Sequence, residues 1–302
     1  MTPGSSLQAV EITARAKINL YLHVIARRPD GYHELDSLVV FAAFGDRLTF
    51  LPAEELILEC AGPFGKALEL ADDNLVLKAA RLLQSRFAVE HGARIRIEKH
   101  LPLAAGLGGG SADAAAALLG MTRLWNLVGG VRELALIAPK LGADVAVCLT
   151  GRPSFLGGVG ERVTLAPPVP ELGLVLANPG VPLPTAAVFA GRQGAFSRPA
   201  RWSGPVDDAD ALIGLLQGRR NDLTGPASRL VPEIGAVLAS LGELPGVLLA
   251  RMSGSGATCF GLTRTTREAE HAAQTLRGRQ PGWWVIASKL DRKGALCSPS
   301  AN

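Results

Sequence analysis

The chain has 302 residues, which is enough for one large or two medium domains with a substantial core. Hydrophobic residues make up 48% of the chain and charged residues 19%, a composition that is typical of globular proteins and excludes intrinsic disorder. The formal net charge of +4 is not concentrated in any basic run, so it suits a small anionic ligand and argues against nucleic acid as a partner.

The sequence lacks the patterns that would indicate a membrane span, a secretory signal or a zinc site. No window approaches about 18 uncharged apolar residues, and no basic segment precedes an apolar core near the N-terminus, so neither a membrane span nor a secretory signal is predicted. The cysteines are far apart and lack the paired spacing of a zinc site: Cys60, Cys148, Cys259 and Cys297. We therefore expect a cytoplasmic protein with reduced thiols and no membrane partner.

Two strands are predicted first, at residues 8–14 and 18–25, on either side of Lys17. In the second strand the apolar residues share one face, and Asn19 lies on the other. A lysine at such a junction is, on local grounds, most simply a solvated cap.

A turn is predicted at residues 29–31, Pro-Asp-Gly. Tyr32 and His33 come just past this bend, and the residues alone indicate the packed edge of a hairpin. Further strands are predicted at 37–44, 46–51 and 56–60. A helix with an apolar stripe follows from residue 75. Its N-cap is Asp72, Asp73 or Asn74.

Residues 101–120 are the most distinctive stretch of the chain. A strand is predicted at 93–99, glycines follow at 106 and 108–110, and an alanine-rich helix is predicted from its N-cap Ser111 to about residue 126. Glycine N–H groups and the positive end of a helix suit an anion such as phosphate. Neither the Walker A nor the Rossmann pattern is present. The alternative is a tight turn without a ligand, with Asp113 adding only a favourable charge to the first helical turn.

Asp144 is the single carboxylate in the otherwise apolar stretch 142–148, which follows a predicted helix at 131–141. A lone carboxylate is costly to bury unless it is paired or takes part in chemistry. The alternative is a simple N-cap. The glycine-rich residues 151–160 are predicted to be a connector.

The second half of the chain is predicted to alternate strands and helices. A buried strand is predicted at 172–177, and Thr185 caps the next helix. Residues 191–209 lack periodicity and are interpreted as a mobile surface loop. The remaining elements are predicted in this order: a helix at 231–241, a strand, glycine turn and strand at 246–261, a helix at 268–277, a strand at 283–288 and a frayed tail from Arg292.

Five stretches, in this order along the chain, resemble motifs of the GHMP kinases, the family named for galacto-, homoserine, mevalonate and phosphomevalonate kinases. They are Ala16-Lys-Ile-Asn-Leu20, Arg28-Pro-Asp-Gly-Tyr-His-Glu34, the glycine loop from Pro102, Gly142-Ala-Asp-Val-Ala-Val-Cys148 and Ser253-Gly-Ser-Gly-Ala257. The resemblance implies an α+β, two-domain GHMP kinase fold. Its N-terminal domain, at residues 1–160, would be a ribosomal-protein-S5-like nucleotide-binding domain, and its C-terminal domain, at 161–302, a ferredoxin-like α/β domain.

The triple glycine and residues 28–34 resemble one branch of this family in particular. That branch phosphorylates the 2-hydroxyl of 4-diphosphocytidyl-2-C-methyl-D-erythritol in the non-mevalonate isoprenoid pathway. The resemblance therefore implies this small molecule as substrate, with ATP and Mg²⁺ as cofactors, and we expect a monomer or a weak homodimer.

By the same resemblance, Asp144 is the general base for the acceptor hydroxyl, and Lys17 stabilises charge on the acceptor oxygen. Ser111 is implied to contact Mg²⁺ as well as phosphate. The residues implied to bind ATP are Asn74, Lys99, Pro102, Gly106, Leu107, Gly108, Gly109, Gly110, Ser111 and Ala112. The residues implied to bind the substrate are Asn19, Tyr32, His33, Thr185 and Phe189.

Two positions depart from the family pattern. Ala112 stands where a second serine is usual, which weakens any metal contact from that position. Ala146 stands where proline is usual, which changes local rigidity and leaves Asp144 in place. The alternatives left open are another small-molecule kinase of the family, of the homoserine or mevalonate type, and a nucleotide-binding relative without catalytic activity.

Overall fold

A computed structural model of the chain describes residues 9–69, 74–128 and 130–291. The strands in these ranges are β1 Val10–Arg27, β2 His33–Ala53, β3 Leu56–Ala61, β4 Gly92–Glu98, β5 Ser154–Gly158, β6 Arg162–Leu165, β7 Gly173–Asn178, β8 Leu249–Met252, β9 Cys259–Thr263 and β10 Trp284–Asp291. The helices are α1 Gly65–Glu69, α2 Leu75–Phe87, α3 Gly109–Leu124, α4 Gly130–Leu141, α5 Val145–Thr150, α6 Thr185–Ala190, α7 Ala209–Gln217, α8 Thr224–Leu230, α9 Glu233–Gly242 and α10 Thr266–Arg279. The predicted caps Asp72 and Asp73, the tail from Arg292 and Cys297 lie outside the described residues.

The strands form one continuous sheet in the order β3-β4-β2-β10-β7-β9-β8, with β1 and β5 also paired to β2, and β6 paired to β5. Only β3 and β4 run parallel among the described pairs. Strand β10 joins the two halves, because residues 290–291 pair with 41–42 of β2 while residues 284–289 pair with 173–178 of β7. The predicted division at residue 160 stays a prediction; β6, which follows it, pairs with β5.

The short strands predicted at 8–14 and 18–25 are parts of the single long strand β1, and those predicted at 37–44 and 46–51 are parts of β2. β1 and β2 form an antiparallel pair with register shifts between Arg15 and Lys17 and again between Asn19 and Tyr21. The predicted break near Lys17 is therefore a bulge, which bends a strand without ending it. Residues 16–24 are nearly all buried, because Ala16, Ile18, Leu20 and Tyr21 belong to one hydrophobic core and Leu22 and Val24 to another, both shared with the C-terminal half of the chain.

Three other predictions differ from the structure. Residues 151–160 contain the buried strand β5, which pairs with β2, so this segment is part of the sheet and not only a connector. The helix predicted at 231–241 begins at Glu233, after Pro232, and is preceded by the separate helix α8. Residues 191–209 form no helix or strand before α7, yet the carboxylate of Asp36 accepts hydrogen bonds from Ala200 N–H and Arg201 Nε.

Helix α3 packs so closely on the sheet that one of its glycines has no room for a side chain. A Cβ on Gly120 would lie 2.2 Å from Cε2 of Phe50, a fully buried ring of β2. We expect Gly120→Ala to lower the free energy of unfolding in urea by about 1–3 kcal/mol, because the core must move to admit the methyl group. The matched control is Gly214→Ala in α7, where a Cβ meets no atom within 4 Å. A Gly120→Ala protein as stable as this control would contradict the packing.

None of the helices in the described ranges has the length and apolarity to cross a bilayer.

Candidate active site

A cavity of about 440 Å³ opens between the bulge of β1, the glycine loop and the turn between β8 and β9. It brings together most of the residues expected in the site. They are Lys17, Asn19, Lys99, Pro102, Gly106, Gly108, Gly109, Gly110, Ser111, Asp144, Thr185 and Phe189.

Lys17 and Asp144 meet in this cavity although 127 positions separate them in the chain. The Nζ of Lys17 lies 2.7 Å from Oδ2 of Asp144. The lysine side chain is buried, whereas that of Asp144 is 32% exposed. Asp144 occupies the N-cap position of α5, but its side chain makes no capping hydrogen bond. The N-cap interpretation of this carboxylate is therefore wrong, and its oxygens are directed to Lys17 and the cavity.

The glycine loop rests on the same lysine. The backbone N–H of Lys17 donates to the carbonyl of Leu107 at 2.9 Å, and a Cβ on Gly108 would lie 3.1 Å from Cε of Lys17. Gly108 is left-handed, with φ of 61°, and is the N-cap of α3. Ser111 is therefore not the N-cap, since α3 already begins at Gly109. The first amides of a helix have no acceptor within it, so those of residues 109–111 are available at the cavity wall.

The turn after β8 closes over the other side of the loop. The hydroxyl of Ser253 donates to the carbonyl of Gly106 at 3.0 Å and accepts the N–H of Asn19 at 3.2 Å. The side-chain amide of Asn221 donates to the carbonyls of Met252 and Gly254, both at 2.8 Å. Ser253 and Asn221 are absent from the predicted site. The Ser-Gly-Ser-Gly-Ala motif was the available signal for Ser253, whereas Asn221 carried none.

A second, larger cavity of about 840 Å³ adjoins the first, because Thr185 and Phe189 line both. Tyr32 and His33, two of the residues expected at the substrate, line this second cavity. The rings of His33 and Phe189 are stacked, with centroids 5.4 Å apart and 26° between their planes. The expectation of a merely packed hairpin edge at Tyr32 is wrong, since this side chain is 64% exposed.

The surroundings of the His33 imidazole lower its pKa. Partial burial lowers its pKa, and the nearby guanidinium groups of Arg27 and Arg192 lower it further. Those two arginines also line the second cavity. The imidazole stacked on Phe189, with cationic groups at the wall, gives this cavity an aromatic surface and a positive edge. Such a surface is suited to a base that carries phosphates.

Four of the residues expected to bind ATP have other contacts in this structure. Asn74 caps α2, its Oδ1 accepting the N–H of Val76 at 2.9 Å. Leu107 and Ala112 are buried in the hydrophobic cores. The ammonium of Lys99 is enclosed by two carboxylates. A role for these four at the nucleotide stays a prediction.

Comparison with known proteins identifies the family. Residues 74–152 match the model of the GHMP kinases N terminal domain, and residues 204–281 match that of the GHMP kinases C terminal domain. A 4-diphosphocytidyl-2-C-methyl-D-erythritol kinase of Paramagnetospirillum magneticum is 50% identical over 285 residues, covering 94% of this chain and 99% of that protein. A kinase of the same name from Cereibacter sphaeroides is 52% identical over 288 residues, covering 93% of this chain and 99% of that protein.

Among solved structures, the crystal structure of a 4-(cytidine 5'-diphospho)-2C-methyl-D-erythritol kinase superposes with a TM-score of 0.73 at 36% identity. The alignment covers 93% of this chain and 98% of that one. The expected α+β, two-domain GHMP kinase fold is thereby confirmed. Together with these relatives, the fold and the cavity identify an ATP-dependent phosphotransferase. The chain belongs to the 4-diphosphocytidyl-2-C-methyl-D-erythritol kinases of the GHMP kinase family.

Proposed function

We propose that this protein transfers the γ-phosphoryl group of ATP to the 2-hydroxyl of 4-diphosphocytidyl-2-C-methyl-D-erythritol. The observation that carries the proposal is the Lys17–Asp144 pair, 2.7 Å apart, in the first cavity beside the glycine loop. The names and high identity of the relatives support the same reaction.

Catalysis of phosphoryl transfer is mostly positioning and charge stabilisation. In the proposed mechanism the amides of residues 109–111 hold the β- and γ-phosphates at the N-terminus of α3. Asp144 accepts the proton of the attacking hydroxyl. Lys17, already paired to that carboxylate, stabilises the charge that develops on the acceptor oxygen.

Mg²⁺ fits this site as a partner of the nucleotide. Within the described residues no cluster of three or more acidic, histidine or cysteine side chains could hold a metal ion. Mg²⁺ needs only one or two protein ligands when phosphates supply the others. The hydroxyl of Ser111 is the oxygen donor that we assign to it, and the ion would neutralise phosphate charge.

The second cavity is proposed to hold the cytidyl end of the substrate. Tyr32, His33 and Phe189 would stack on the base, and Thr185 would contact the diphosphocytidyl group where the two cavities meet. Thr185 is oriented by Ser255, whose hydroxyl is 2.8 Å away. Asn19 lies beside Lys17 in the first cavity, and its buried Oδ1 has no hydrogen-bond partner among the described residues. We assign this oxygen to a hydroxyl of the erythritol.

The reaction is tested with purified protein, ATP and Mg²⁺ by coupled detection of ADP. We expect ADP release with 4-diphosphocytidyl-2-C-methyl-D-erythritol and none above background with homoserine or mevalonate. Mass spectrometry and phosphorus NMR of the product should show one added phosphate on the 2-hydroxyl. Release with homoserine or mevalonate alone would favour another kinase of the family. ATP binding without turnover on any of these would favour a non-catalytic relative.

The Phe189 ring gives a specific prediction for the substrate. We expect Phe189→Ala to raise the KM for 4-diphosphocytidyl-2-C-methyl-D-erythritol about tenfold to hundredfold, because stacking on a base is worth about 1–3 kcal/mol. The KM for ATP, measured on the same variant, is the internal control and should stay unchanged. A variant that raises only the KM for ATP would place the ring at the nucleotide.

A further inference from the structure

Three charged side chains form a buried cluster behind the glycine loop. The Nζ of Lys99, at the end of β4, lies 2.6 Å from Oδ2 of Asp46 in β2 and 2.6 Å from Oδ2 of Asp113 in α3. The three side chains are 1%, 0% and 3% exposed. The cluster thus joins three elements that surround the loop but are separate in the sequence.

Asp46 also holds the backbone where the loop begins. Its Oδ1 accepts the N–H of His100 at 2.6 Å and that of Leu101 at 2.8 Å, the two residues before Pro102. Because one carboxylate oxygen accepts hydrogen bonds from two consecutive backbone N–H groups, the direction in which the chain enters the loop is fixed. Hydrogen bonds to a charged acceptor are the stronger kind.

The other two members of the cluster lie where the loop ends. Asp113 is in the first turns of α3, and a Cβ on Gly109 would come within 3.2 Å of the Lys99 ammonium. The ammonium therefore lies directly beneath the first residue of α3. Through Lys99, the entry of the loop, held by Asp46, is connected to its exit, held by Asp113.

This geometry does not suit Lys99 as a direct phosphate ligand. Moving the ammonium to a phosphate would break two ion pairs and leave two carboxylates buried without a partner, which is strongly unfavourable. Burial raises the pKa of Asp113 to about 7, against the opposing effect of Lys99. The two carboxylates already offset the charge of the ammonium, so Lys99 acts on ATP through the structure of the loop.

We propose that Asp46, Lys99 and Asp113 are positioning residues for ATP, which hold the two ends of the glycine loop in the conformation that binds the phosphates. The inference deepens the proposed function and rests on the phosphate-binding role of residues 106–111. It assigns to Lys99 an action through the loop, in place of the direct contact with the nucleotide expected from the sequence.

The first test compares Asp46→Ala with Asp46→Asn by calorimetric titration of ATP and Mg²⁺ without acceptor. Alanine removes both hydrogen bonds to the amides of His100 and Leu101, and we expect the Kd for ATP to rise about tenfold. Asparagine keeps a carbonyl acceptor for both N–H groups but loses the ion pair to Lys99, so its Kd should rise less than that of the alanine variant. In both variants kcat at saturating ATP should change by less than about threefold, because Lys17 and Asp144 are untouched.

A second variant keeps the test decisive if Asp46→Ala does not fold. Lys99→Met combined with Asp46→Asn removes both ion pairs, keeps the side-chain volumes and leaves only Asp113, which can take up a proton. We expect about a tenfold rise in the Kd for ATP here too, since entry and exit of the loop are no longer connected. The control is Leu276→Ala, a buried position of α10 away from the cavity, chosen to lower Tm to a similar extent. Its Kd for ATP should equal that of the wild type.

The outcomes separate positioning from plain stability. A folded Asp46→Ala or double variant that binds ATP like the Leu276→Ala control would overturn the inference. So would a fall in kcat with an unchanged Kd, which would indicate an effect on chemistry. A wild-type protein that does not bind ATP would instead overturn the phosphate-binding assignment of the loop, and the inference with it.

Discussion

Asp144→Asn is expected to lower kcat by about 10²–10⁴-fold, the usual contribution of a general base. Asparagine has nearly the same shape and can still accept a hydrogen bond from Lys17, but it cannot take the proton of the acceptor hydroxyl. Because the residue makes no capping bond to α5, its loss should leave the fold intact. Steady-state turnover and a separate ATP titration measure the two effects.

The control for this substitution is Asp210→Asn. Asp210 is an exposed residue of α7 that pairs with Arg264 and lies away from both cavities. Its turnover should match that of the wild type. The Kd for ATP should change by less than about threefold in Asp144→Asn, because the loop amides are unaltered. If Asp144→Asn retains more than about a tenth of the wild-type turnover, Asp144 is not the general base.

Gly106→Ala should weaken ATP binding about tenfold to hundredfold, which corresponds to about 1–3 kcal/mol of backbone strain at the loop. Gly106 has φ of 73°, a left-handed conformation that disfavours any side chain. Its Cβ would also lie 2.4 Å from the carbonyl oxygen of Ser253 and 2.8 Å from the nitrogen of Gly256. These are backbone atoms of the turn that closes over the loop, so neither can move without displacing it.

Gly204→Ala is the control that tests backbone strain alone, without a steric clash between the new Cβ and neighbouring backbone atoms. Gly204 has φ of 88°, but a Cβ there would meet no atom within 4 Å. We expect a small loss of stability in that variant and no change in the Kd for ATP. If both variants bind ATP like the wild type, the turn at residues 253–256 does not control the shape of the loop.

Much of the architecture could be predicted from local patterns. The alternation at 93–99, the capped helix after Asn74 and the strand, glycine turn and strand at 246–261 are present with nearly the expected bounds. These elements depend on periodicity and on residues with special backbone preferences, which neighbours along the chain determine. Where packing from both sides overrides periodicity, as in residues 16–24 of β1, the prediction of separate short strands was wrong.

The sequence by itself determined the family, the glycine loop and the identities of Lys17 and Asp144 as the groups with chemistry to offer. Only the tertiary structure decided what these side chains contact. It pairs Lys17 with Asp144, encloses Lys99 between Asp46 and Asp113, and sets the Ser253 hydroxyl against Gly106. The physical reason is that a buried charged or polar group takes whichever partner the packed strands and helices bring within reach. Such partners lie from 14 to 147 positions away, beyond the range of any local pattern.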